Sequence, residues 1–308
     1  MKIRDVHGFE AYIYEAAYIA LKSGCFEGES CFDSKKIGRM SPEFYTEMDM
    51  NFDAIVKMAM LRILGAFGID SGVKCERFIK ENDSAQNKQN ARYLWNKFLN
   101  PQKGEFFKGL TPDELILYHS VNFDISREYG NYLGESFNMD NMSIADIGGS
   151  SGGLLTGIAD KCGNVSLMVF DTEAACDVGR NISDNIEFVP CDFFTHDFSG
   201  LEFDIIILSN ILHDWGDREV HSLLKNIRPL LEVCNFLIIH EDILDDEALS
   251  PVETVVYGLR LAINEPGGMQ RTFRELDMLL GGADCGFEGV KKLQFPPLSA
   301  CIYAKDRV

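Results

Sequence analysis

The sequence predicts an α/β fold, in which a mainly helical region precedes a parallel sheet that ends in an antiparallel hairpin. After residue 142, apolar runs rich in Ile, Val and Phe alternate with segments of helical spacing, a rhythm typical of a parallel sheet covered by helices. The last two predicted strands are joined by a short connection through Pro296 and Pro297, which favours an antiparallel pair. The predicted domains are therefore 1–140, mainly helical, and 141–308, containing the sheet.

Helical spacing dominates the first region. The longest predicted helix begins after Thr111, because Pro112 is favoured in a first helical turn, and it continues to residue 137. The polar segment 70–92 shows little periodicity, which predicts loops. Apolar residues at helical spacing predict the remaining helices, at 9–23, within 42–68 and at 91–100.

The second region is predicted to alternate strands and helices. Its last helix carries a capping box, since Thr272 precedes it and Glu275 follows three residues later. The predicted strands are 143–147, 165–170, 186–190, 203–209, 235–240, 288–294 and 299–304. The predicted helices are 152–161, 173–181, 217–231, 251–263 and 272–282.

A glycine-rich turn within SIADIGGSSGGLLTG, residues 143–157, joins the first strand to the next helix. Glycines adopt positive φ and let a ligand approach the backbone, while the helix directs free N–H groups to the same place. A strand, a glycine turn and a helix in this order are typical of a nucleotide-type site, although a purely structural turn is the alternative.

The turn departs from the G-x-G-x-x-G fingerprint of dinucleotide-binding folds. Counted from Gly148 or Gly149, the third position of the fingerprint is a serine, Ser150 or Ser151. Asp146 precedes the glycines at the end of the strand. A carboxylate there suits a ligand with a cationic or hydroxyl-bearing group and repels a pyrophosphate.

Aspartates also follow the next two strands. Asp171 closes the second strand about 20 residues after the turn, where an acidic side chain binds ribose hydroxyls in nucleoside-binding folds. The alternative is a helix N-cap ahead of Thr172. Asp192 follows the third strand and is suited to accept a hydrogen bond from an exocyclic amine, with Phe193 against the ring face. The alternative is a turn aspartate beside core phenylalanines.

The candidate for acid–base chemistry is His213, which follows the fourth strand with Asp214 and Trp215 at the carboxyl edge of the predicted sheet. Histidine is the usual general base near neutral pH, and a structural imidazole is the alternative. Glu241 ends the fifth strand on the same edge and is suited to hold the imidazole in one tautomer. The histidines predicted to be surface or core residues are His7, His119, His196 and His221. His240, next to Glu241, points to the opposite face if the strand alternates.

Composition excludes some partners. The net charge of −19 argues against nucleic acid and against anionic membrane surfaces, both of which require a basic face. Nine cysteines occur without a C-x-x-C pair or a metal-like spacing, which predicts reduced thiols in a cytosolic protein and no metal site. The N-terminus does not resemble a signal peptide, and no apolar run is long enough to predict a transmembrane helix.

The ordered motifs DIGGSSGG, VFD, CDFF, LHDW, HEDIL and EPGGMQRT resemble those of the S-adenosylmethionine-dependent O-methyltransferases of the caffeate, hydroxyindole and antibiotic type. The resemblance covers residues 140–305 and implies a Rossmann-like methyltransferase sheet. The segment AIVKMAMLRILGAFGI resembles the helix before the wing in that family's winged-helix, dimerisation domain, which implies a homodimer.

The resemblance also implies a cofactor site for S-adenosylmethionine, with S-adenosylhomocysteine as the product and no metal. Gly148, Gly149 and Gly152 surround the methionine part of the cofactor in this interpretation, and Asp171 binds its ribose. Adenine lies against the remaining predicted binding residues. The full predicted cofactor set is Asp146, Gly148, Gly149, Gly152, Asp171, Asp192, Phe193, Ser209 and Trp215.

The implied reaction is methyl transfer to a hydroxyl of a small, aromatic secondary metabolite, with His213 as the base and Glu241 beside it. The family often has an acidic residue where this chain has Gln270, which can position an imidazole but cannot offset its positive charge; Glu265 is the nearby candidate to compensate. The position of Ser209 is often basic, and the N-terminal region is short for the family.

Three alternatives are kept. The first is C- or N-methylation, or a cofactor-binding relative that catalyses cyclisation or decarboxylation, and Gln270 motivates it. The second is a regulatory protein that keeps the fold. The third is a nicotinamide-dependent oxidoreductase, which the failed fingerprint spacing and the terminal hairpin disfavour.

Overall fold

The computed structural model describes residues 10–22, 52–69, 72–100, 110–265, 267–282, 287–295 and 298–305. Three predicted features lie outside these residues: His7, residues 42–51 of the segment predicted to contain helices, and the Pro296–Pro297 connection.

A seven-stranded sheet with the order β3-β2-β1-β4-β5-β7-β6 forms the centre of the second region. The first five strands of the chain run parallel, β7 pairs antiparallel with β5, and β6 pairs antiparallel with β7, which confirms the predicted topology. The strand order reverses beside β1, the kind of place where open α/β sheets bind ligands. The strands are β1 Ser143–Ile147, β2 Ser166–Asp171, β3 Ile186–Pro190, β4 Ile205–Ser209, β5 Phe236–Glu241, β6 Glu288–Phe295 and β7 Leu298–Ala304.

Helices account for the described part of the N-terminal region and for the connections of the sheet. In the first part these are α1 Glu10–Lys22, α2 Phe52–Ala66, α3 Gly72–Glu81, α4 Ala85–Leu99 and α5 Pro112–Ser136. Along the sheet they are α6 Gly153–Lys161, α7 Glu173–Ile182, α8 Asp217–Asn226, α9 Arg228–Val233, α10 Val252–Asn264 and α11 Phe273–Gly282.

The caps expected at two helix starts are present. The hydroxyl of Thr111 accepts a hydrogen bond from the Glu114 N–H, and the Glu114 carboxylate accepts one from the Thr111 N–H, a complete capping box before α5. The same reciprocal pair joins Thr272 and Glu275 at 2.7 and 3.1 Å before α11. Both predicted helix starts are therefore confirmed.

The loop prediction for residues 70–92 is wrong, because α3 and the first half of α4 occupy this segment. The helix α3 is polar around most of its circumference, and Cys75 lies buried on its apolar stripe. Phe78 and Ile79 add partial burial against the apolar cluster that α1 and α2 form. Tertiary packing of a narrow apolar stripe outweighs the low hydrophobicity of the segment.

The helix predicted at 217–231 is divided in two. The helix α8 ends at Asn226, and α9 begins at Arg228 with Pro229 in its first turn. Proline lacks an N–H and clashes with the preceding turn of a helix, so the chain starts a new helix there.

The helices α5 and α6 approach each other at glycines. A Cβ atom on Gly130 would collide with the carbonyl oxygen of Leu154, and one on Gly157 would lie 2.6 Å from the Asn131 nitrogen. A Cβ on Gly153 would collide with the Phe123 carbonyl oxygen. Because backbone atoms occupy these places, the separation of the two helices is fixed by the absence of side chains.

We expect Gly157→Ala to lower the free energy of unfolding by about 1–3 kcal/mol, because the added methyl group forces backbone atoms of α5 away. The matched control is Gly281→Ala in α11, since no atom lies within 4 Å of a Cβ there. The control should leave stability unchanged or raise it by less than about 1 kcal/mol. Urea denaturation of the two variants measures the difference, and equal stabilities would contradict the close packing.

Backbone contacts divide the chain into two compact units that do not coincide with the predicted division at residue 140. Whether the chain divides into folding domains at that residue stays a prediction. One unit comprises Met1–Glu105, His213–Arg218 and Asp242–Met278, and the other comprises Phe106–Leu212, Glu219–Glu241 and Leu279–Val308.

Each unit has its own apolar core. In the first unit, α1 and α2 pack with α10, and the salt bridge between Glu15 and Arg260, 2.6 Å long, links α1 to α10. In the second, α5 and α6 cover β1, β2 and β4. No helix in the described ranges is long and apolar enough to cross a membrane.

Candidate functional site

The glycine-rich turn follows β1 in the second unit. The N–H of Gly148 donates to the Phe170 carbonyl oxygen at 2.7 Å, which fixes the turn to the end of β2. Gly148, Ser150 and Gly152 have positive φ values of 78°, 54° and 82°. Gly152 caps α6 without a side-chain bond, so the turn leads directly into the positive end of the helix.

Asp146 lies completely buried beneath this turn. A Cβ atom on Gly149 would lie 2.7 Å from the Asp146 carboxyl group, so glycine is required for the chain to pass over it. Neither carboxyl oxygen of Asp146 hydrogen-bonds to any residue that the structure describes. Burial, and then the charge of Asp171, raise the pKa of Asp146 to about 8.

This pKa predicts how stability changes with pH. A carboxyl group whose pKa is higher in the folded state stabilises the fold fully below its unfolded pKa, and that contribution is lost as the pH rises towards the folded pKa. Between about pH 6.5 and pH 8 the ligand-free wild type should therefore lose about 1 kcal/mol per pH unit from Asp146 alone, with the slope flattening towards pH 8. Asp146→Asn should remove this slope in urea denaturation.

The range from pH 6.5 to pH 8 excludes the opposite effect of His240 on stability, which arises at lower pH. Burial lowers the pKa of His240 to about 3, so its contribution is present above its unfolded pKa and is lost only as the pH falls towards 3. An unchanged slope between pH 6.5 and pH 8 in the Asp146→Asn variant would show that this carboxyl is ionised in the folded protein.

Asp171 connects the turn to the next helix. Its Oδ2 atom accepts a hydrogen bond from the Ser150 N–H at 2.8 Å, and its Oδ1 atom accepts from the Thr172 N–H at 2.6 Å. The N-cap of α7 is Thr172, whose hydroxyl accepts from Ala175 N–H, so the alternative role of Asp171 as the helix cap is wrong. The N–H groups of Ser150 and Thr172 instead hold the Asp171 carboxylate beside the glycine turn.

Phe193 also lies at the turn. One of its ring carbons is 3.6 Å from the place of a Cβ on Gly148, and the side chain of Ile211 lies at the same place. Asp192 is exposed, and its Oδ1 atom accepts a hydrogen bond from the Phe194 N–H at 2.9 Å. The structure thus places an aromatic and an aliphatic side chain beside the turn; a contact between Asp192 and adenine stays a prediction.

Ser209 has an internal partner at the end of β4. Its hydroxyl lies 2.8 Å from Nδ1 of His240, which is buried opposite it on β5. The ring of His240 also stacks at a tilt against Tyr129, with centroids 5.4 Å apart. His240 is therefore a core histidine, and a cofactor contact by Ser209 stays a prediction.

Glu241 is buried at the end of β5, where it holds the backbone that leads to His213. Its Oε1 atom accepts hydrogen bonds from the N–H groups of Ile211 and Leu212 at 3.0 and 2.7 Å. These bonds fix the start of the 3₁₀ turn Leu212–Asp214, which contains His213. A direct role of Glu241 at the imidazole stays a prediction.

His213 belongs to the first unit, where its backbone contacts the glycine-rich segment that follows α10. The His213 carbonyl oxygen accepts a hydrogen bond from the Met269 N–H at 2.8 Å, and a Cβ on Gly268 would lie 2.9 Å from that oxygen. Nε2 of His213 lies 3.3 Å from the Asp214 carboxylate, an ion pair if the ring is protonated. Gln270 directly follows Met269, whose N–H forms this hydrogen bond to the His213 backbone.

Gln270 is buried, and a basic side chain holds its main chain. Nη1 of Arg62 donates to the Gln270 carbonyl oxygen at 2.8 Å, while Nη2 of Arg62 pairs with Glu275 at 2.8 Å. The side-chain oxygen of Gln270 has no hydrogen-bond partner among the described residues. A buried amide oxygen without a partner is suited to accept a hydrogen bond from a ligand.

Trp215 contributes its backbone to a neighbouring ion-pair network. Its carbonyl oxygen accepts a hydrogen bond from Nη2 of Arg271 at 2.8 Å, and the same nitrogen pairs with Asp217 at 2.8 Å. This network orders the chain that follows the 3₁₀ turn. A contact between the Trp215 side chain and the cofactor stays a prediction.

His119, which the sequence predicted to be a surface or core residue, is buried and contacts the glycine turn. Its Nδ1 atom lies 2.7 Å from the Ser150 hydroxyl, and its backbone oxygen accepts a hydrogen bond from the Ser151 hydroxyl at 3.0 Å. Burial lowers the pKa of His119, while the nearby Asp171 charge opposes the shift. The signal in the sequence was weak: His119 precedes the buried Phe123 by one helical turn, on the inner face of α5.

A mainly parallel sheet with a glycine turn after β1 and an aspartate at the end of β2 is typical of nucleoside-binding α/β folds. A family model described as the O-methyltransferase domain matches residues 124–288. The chain belongs to this family, since the match covers more than half of it.

Individual relatives agree with this family. The chain is 29% identical over 153 residues to acetylserotonin O-methyltransferase from Bos taurus, a match that covers 48% of this chain and 43% of that protein. The chain matches less than half the length of the first curated relatives.

Solved structures show the same fold over nearly the whole chain. An O-methyltransferase family 2 protein from Planctomyces limnophilus, solved with apigenin, superposes with a TM-score of 0.69 at 14% identity, covering 99% of this chain and 97% of that one. Human N-acetylserotonin methyltransferase, solved with S-adenosylmethionine, has a TM-score of 0.61 at 16% identity, covering 98% and 96%.

Proposed function

We propose that this chain is an S-adenosylmethionine-dependent O-methyltransferase that acts on a hydroxyl group of a small aromatic metabolite. The observation that carries the proposal is the Asp171 carboxylate, fixed at 2.8 Å to the backbone of the glycine turn, in a chain of the O-methyltransferase family. The bovine relative is an acetylserotonin O-methyltransferase, and the human neighbour binds S-adenosylmethionine.

The residues at the turn fit this cofactor. Asp171 offers carboxylate oxygens to the ribose hydroxyls, and Phe193 offers a ring face to adenine. Asp146 is a buried carboxyl without a hydrogen-bond partner among the described residues, so a cationic group of the ligand has an acceptor near the turn. The other residues that we assign to the cofactor are Gly148, Gly149, Gly152, Asp192, Ser209 and Trp215.

When bound, S-adenosylmethionine supplies a methyl group that needs little further electrophilic activation. The task left to the protein is to orient the acceptor hydroxyl, exclude water and accept its proton. We assign the role of accepting this proton to His213, whose backbone carbonyl is hydrogen-bonded to the Met269 N–H. Glu241 contributes by fixing the two residues before His213, and this is a positioning role.

Gln270 replaces a carboxylate with a neutral amide at the predicted catalytic centre. An amide cannot stabilise an imidazolium by charge, so its contribution is limited to hydrogen bonding. Its partnerless, buried oxygen favours an acceptor substrate that carries an N–H or O–H donor in addition to the methylated hydroxyl.

We assign the N-terminal helices to a winged-helix-like region that forms a homodimer and closes over the substrate. We assign the protein to the cytoplasm and its substrate to secondary metabolism, in keeping with the family resemblance of the sequence.

The direct test incubates the purified protein with methyl-labelled S-adenosylmethionine and a panel of phenols, catechols and hydroxyindoles. The expected result is labelled methyl ether together with an equal amount of S-adenosylhomocysteine. Label on carbon or nitrogen would favour the alternative methylations. Product formed without S-adenosylhomocysteine would favour a cyclase-like or decarboxylase-like relative, the alternative that the neutral Gln270 motivates.

A further inference from the structure

A chain of hydrogen bonds connects α5 to the candidate ribose-binding residue. Nδ1 of His119 lies 2.7 Å from the Ser150 hydroxyl, and the Ser150 N–H donates to Oδ2 of Asp171 at 2.8 Å. The hydroxyl of Ser151 donates to the His119 carbonyl oxygen at 3.0 Å, so α5 holds two successive residues of the turn. All of these residues belong to the second unit.

Ser150 has a backbone conformation that needs such support. Its φ value of 54° lies in the left-handed region, which a residue with a Cβ rarely adopts unless its surroundings enforce it. Two hydrogen bonds hold Ser150, one between its hydroxyl and His119 and one from its N–H to Asp171. Together they fix both the conformation of Ser150 and the direction of its N–H group.

The position of His119 is itself fixed by close packing. The helix α5 meets α6 at Gly130, Gly153 and Gly157, where backbone atoms leave no room for a Cβ. His119 is buried on the same helix, and burial lowers the pKa of its imidazole, which keeps the ring neutral near neutral pH. A neutral imidazole forms a hydrogen bond with Ser150 without bringing a charge to Asp171.

We infer that His119 is a positioning residue for the cofactor: it holds Ser150 in the left-handed conformation, so that the Ser150 N–H orients the Asp171 carboxylate for the ribose hydroxyls. This inference rests on the proposed function and adds a residue to it. A preorganised carboxylate binds the ligand without the entropic cost of ordering the turn.

The same residues also match the G-x-S-x-G pattern of nucleophilic serines, at residues 148–152 on a strand–turn–helix. The hydrogen bonds favour the positioning role over this one. In a catalytic triad, Nε2 of the histidine faces the serine and a carboxylate holds Nδ1. Here Nδ1 of His119 faces Ser150, and the two Asp171 oxygens accept hydrogen bonds from the N–H groups of Ser150 and Thr172.

The test is a double-mutant cycle on the affinity for S-adenosylhomocysteine, measured by calorimetry. His119→Leu should weaken binding about tenfold, the effect of about one hydrogen bond. His119→Asn, whose amide occupies the place of Nδ1, should stay within about twofold of the wild type. In the Ser150→Gly background, His119→Leu should change the affinity less than about twofold, because the link is already broken.

Hydrogen exchange of ligand-free protein provides a second readout. In the peptide that covers residues 147–153, His119→Leu should accelerate exchange of the Ser150 amide about tenfold, and His119→Asn should not. If the wild type binds no S-adenosylhomocysteine, the proposed function fails, while this exchange still decides the role of His119.

Three outcomes would overturn the inference. The first is equal affinity and exchange in the wild type and His119→Leu. The second is the same loss for His119→Leu in the wild-type and Ser150→Gly backgrounds, which indicates a structural effect that does not act through Ser150. The third is hydrolysis of p-nitrophenyl acetate by the wild type but not by Ser150→Gly, which assigns the pair to nucleophilic chemistry.

Discussion

Replacement of His213 by alanine is expected to lower the rate of methyl transfer by about 10²- to 10⁴-fold, the usual contribution of a positioned general base. The affinity for S-adenosylhomocysteine should change less than about threefold, because the residues that we assign to the cofactor are elsewhere in the chain. Single-turnover assays at saturating cofactor, together with calorimetry, measure the two effects separately.

The matched control is His221→Ala, which removes an exposed histidine from α8 and should leave the rate unchanged. A full rate in the His213→Ala variant would eliminate the base role. Loss of both rate and affinity, with weakened folding, would indicate instead that His213 supports the turn Leu212–Asp214, whose backbone is bonded to Met269.

The bounds of the strands could be predicted to within two residues, because a buried strand has a local pattern of apolar residues. In β4 and β5, buried Ile and Leu residues run continuously, as they do in a sheet covered on both faces. The helix α3 could not be predicted in the same way. Its apolar stripe is narrow, and its stability depends on the cluster formed by α1 and α2, which a local pattern does not reveal.

The candidate site likewise has features that local sequence predicts and features that depend on tertiary contacts. The glycine turn and Asp171 were predictable, because strand ends and their spacing are readable in one dimension. The bond between His119 and Ser150 joins residues 31 positions apart, and it depends on how closely α5 approaches α6. The pairing of Ser209 with His240 also spans two strands, so a local sequence pattern does not reveal it.

Asp171→Ala is expected to weaken the binding of S-adenosylmethionine and S-adenosylhomocysteine by about 100-fold. A hydrogen bond to a charged group contributes about 1.5–3 kcal/mol, and each 1.4 kcal/mol corresponds to a tenfold change in affinity. Calorimetric titration of both ligands, with NAD as the negative control, measures the loss. Asp184→Ala, which removes an exposed aspartate from the loop after α7, is the matched control and should bind normally.

Asp171→Asn separates the charge from the shape of the side chain. The amide retains an oxygen for the Ser150 N–H, so the turn should stay ordered, but it loses one acceptor and the negative charge. We therefore expect affinity between those of the wild type and Asp171→Ala. If Asn binds as tightly as Asp, the carboxylate serves mainly to order the turn, and the ribose hydroxyls must be bound by another group.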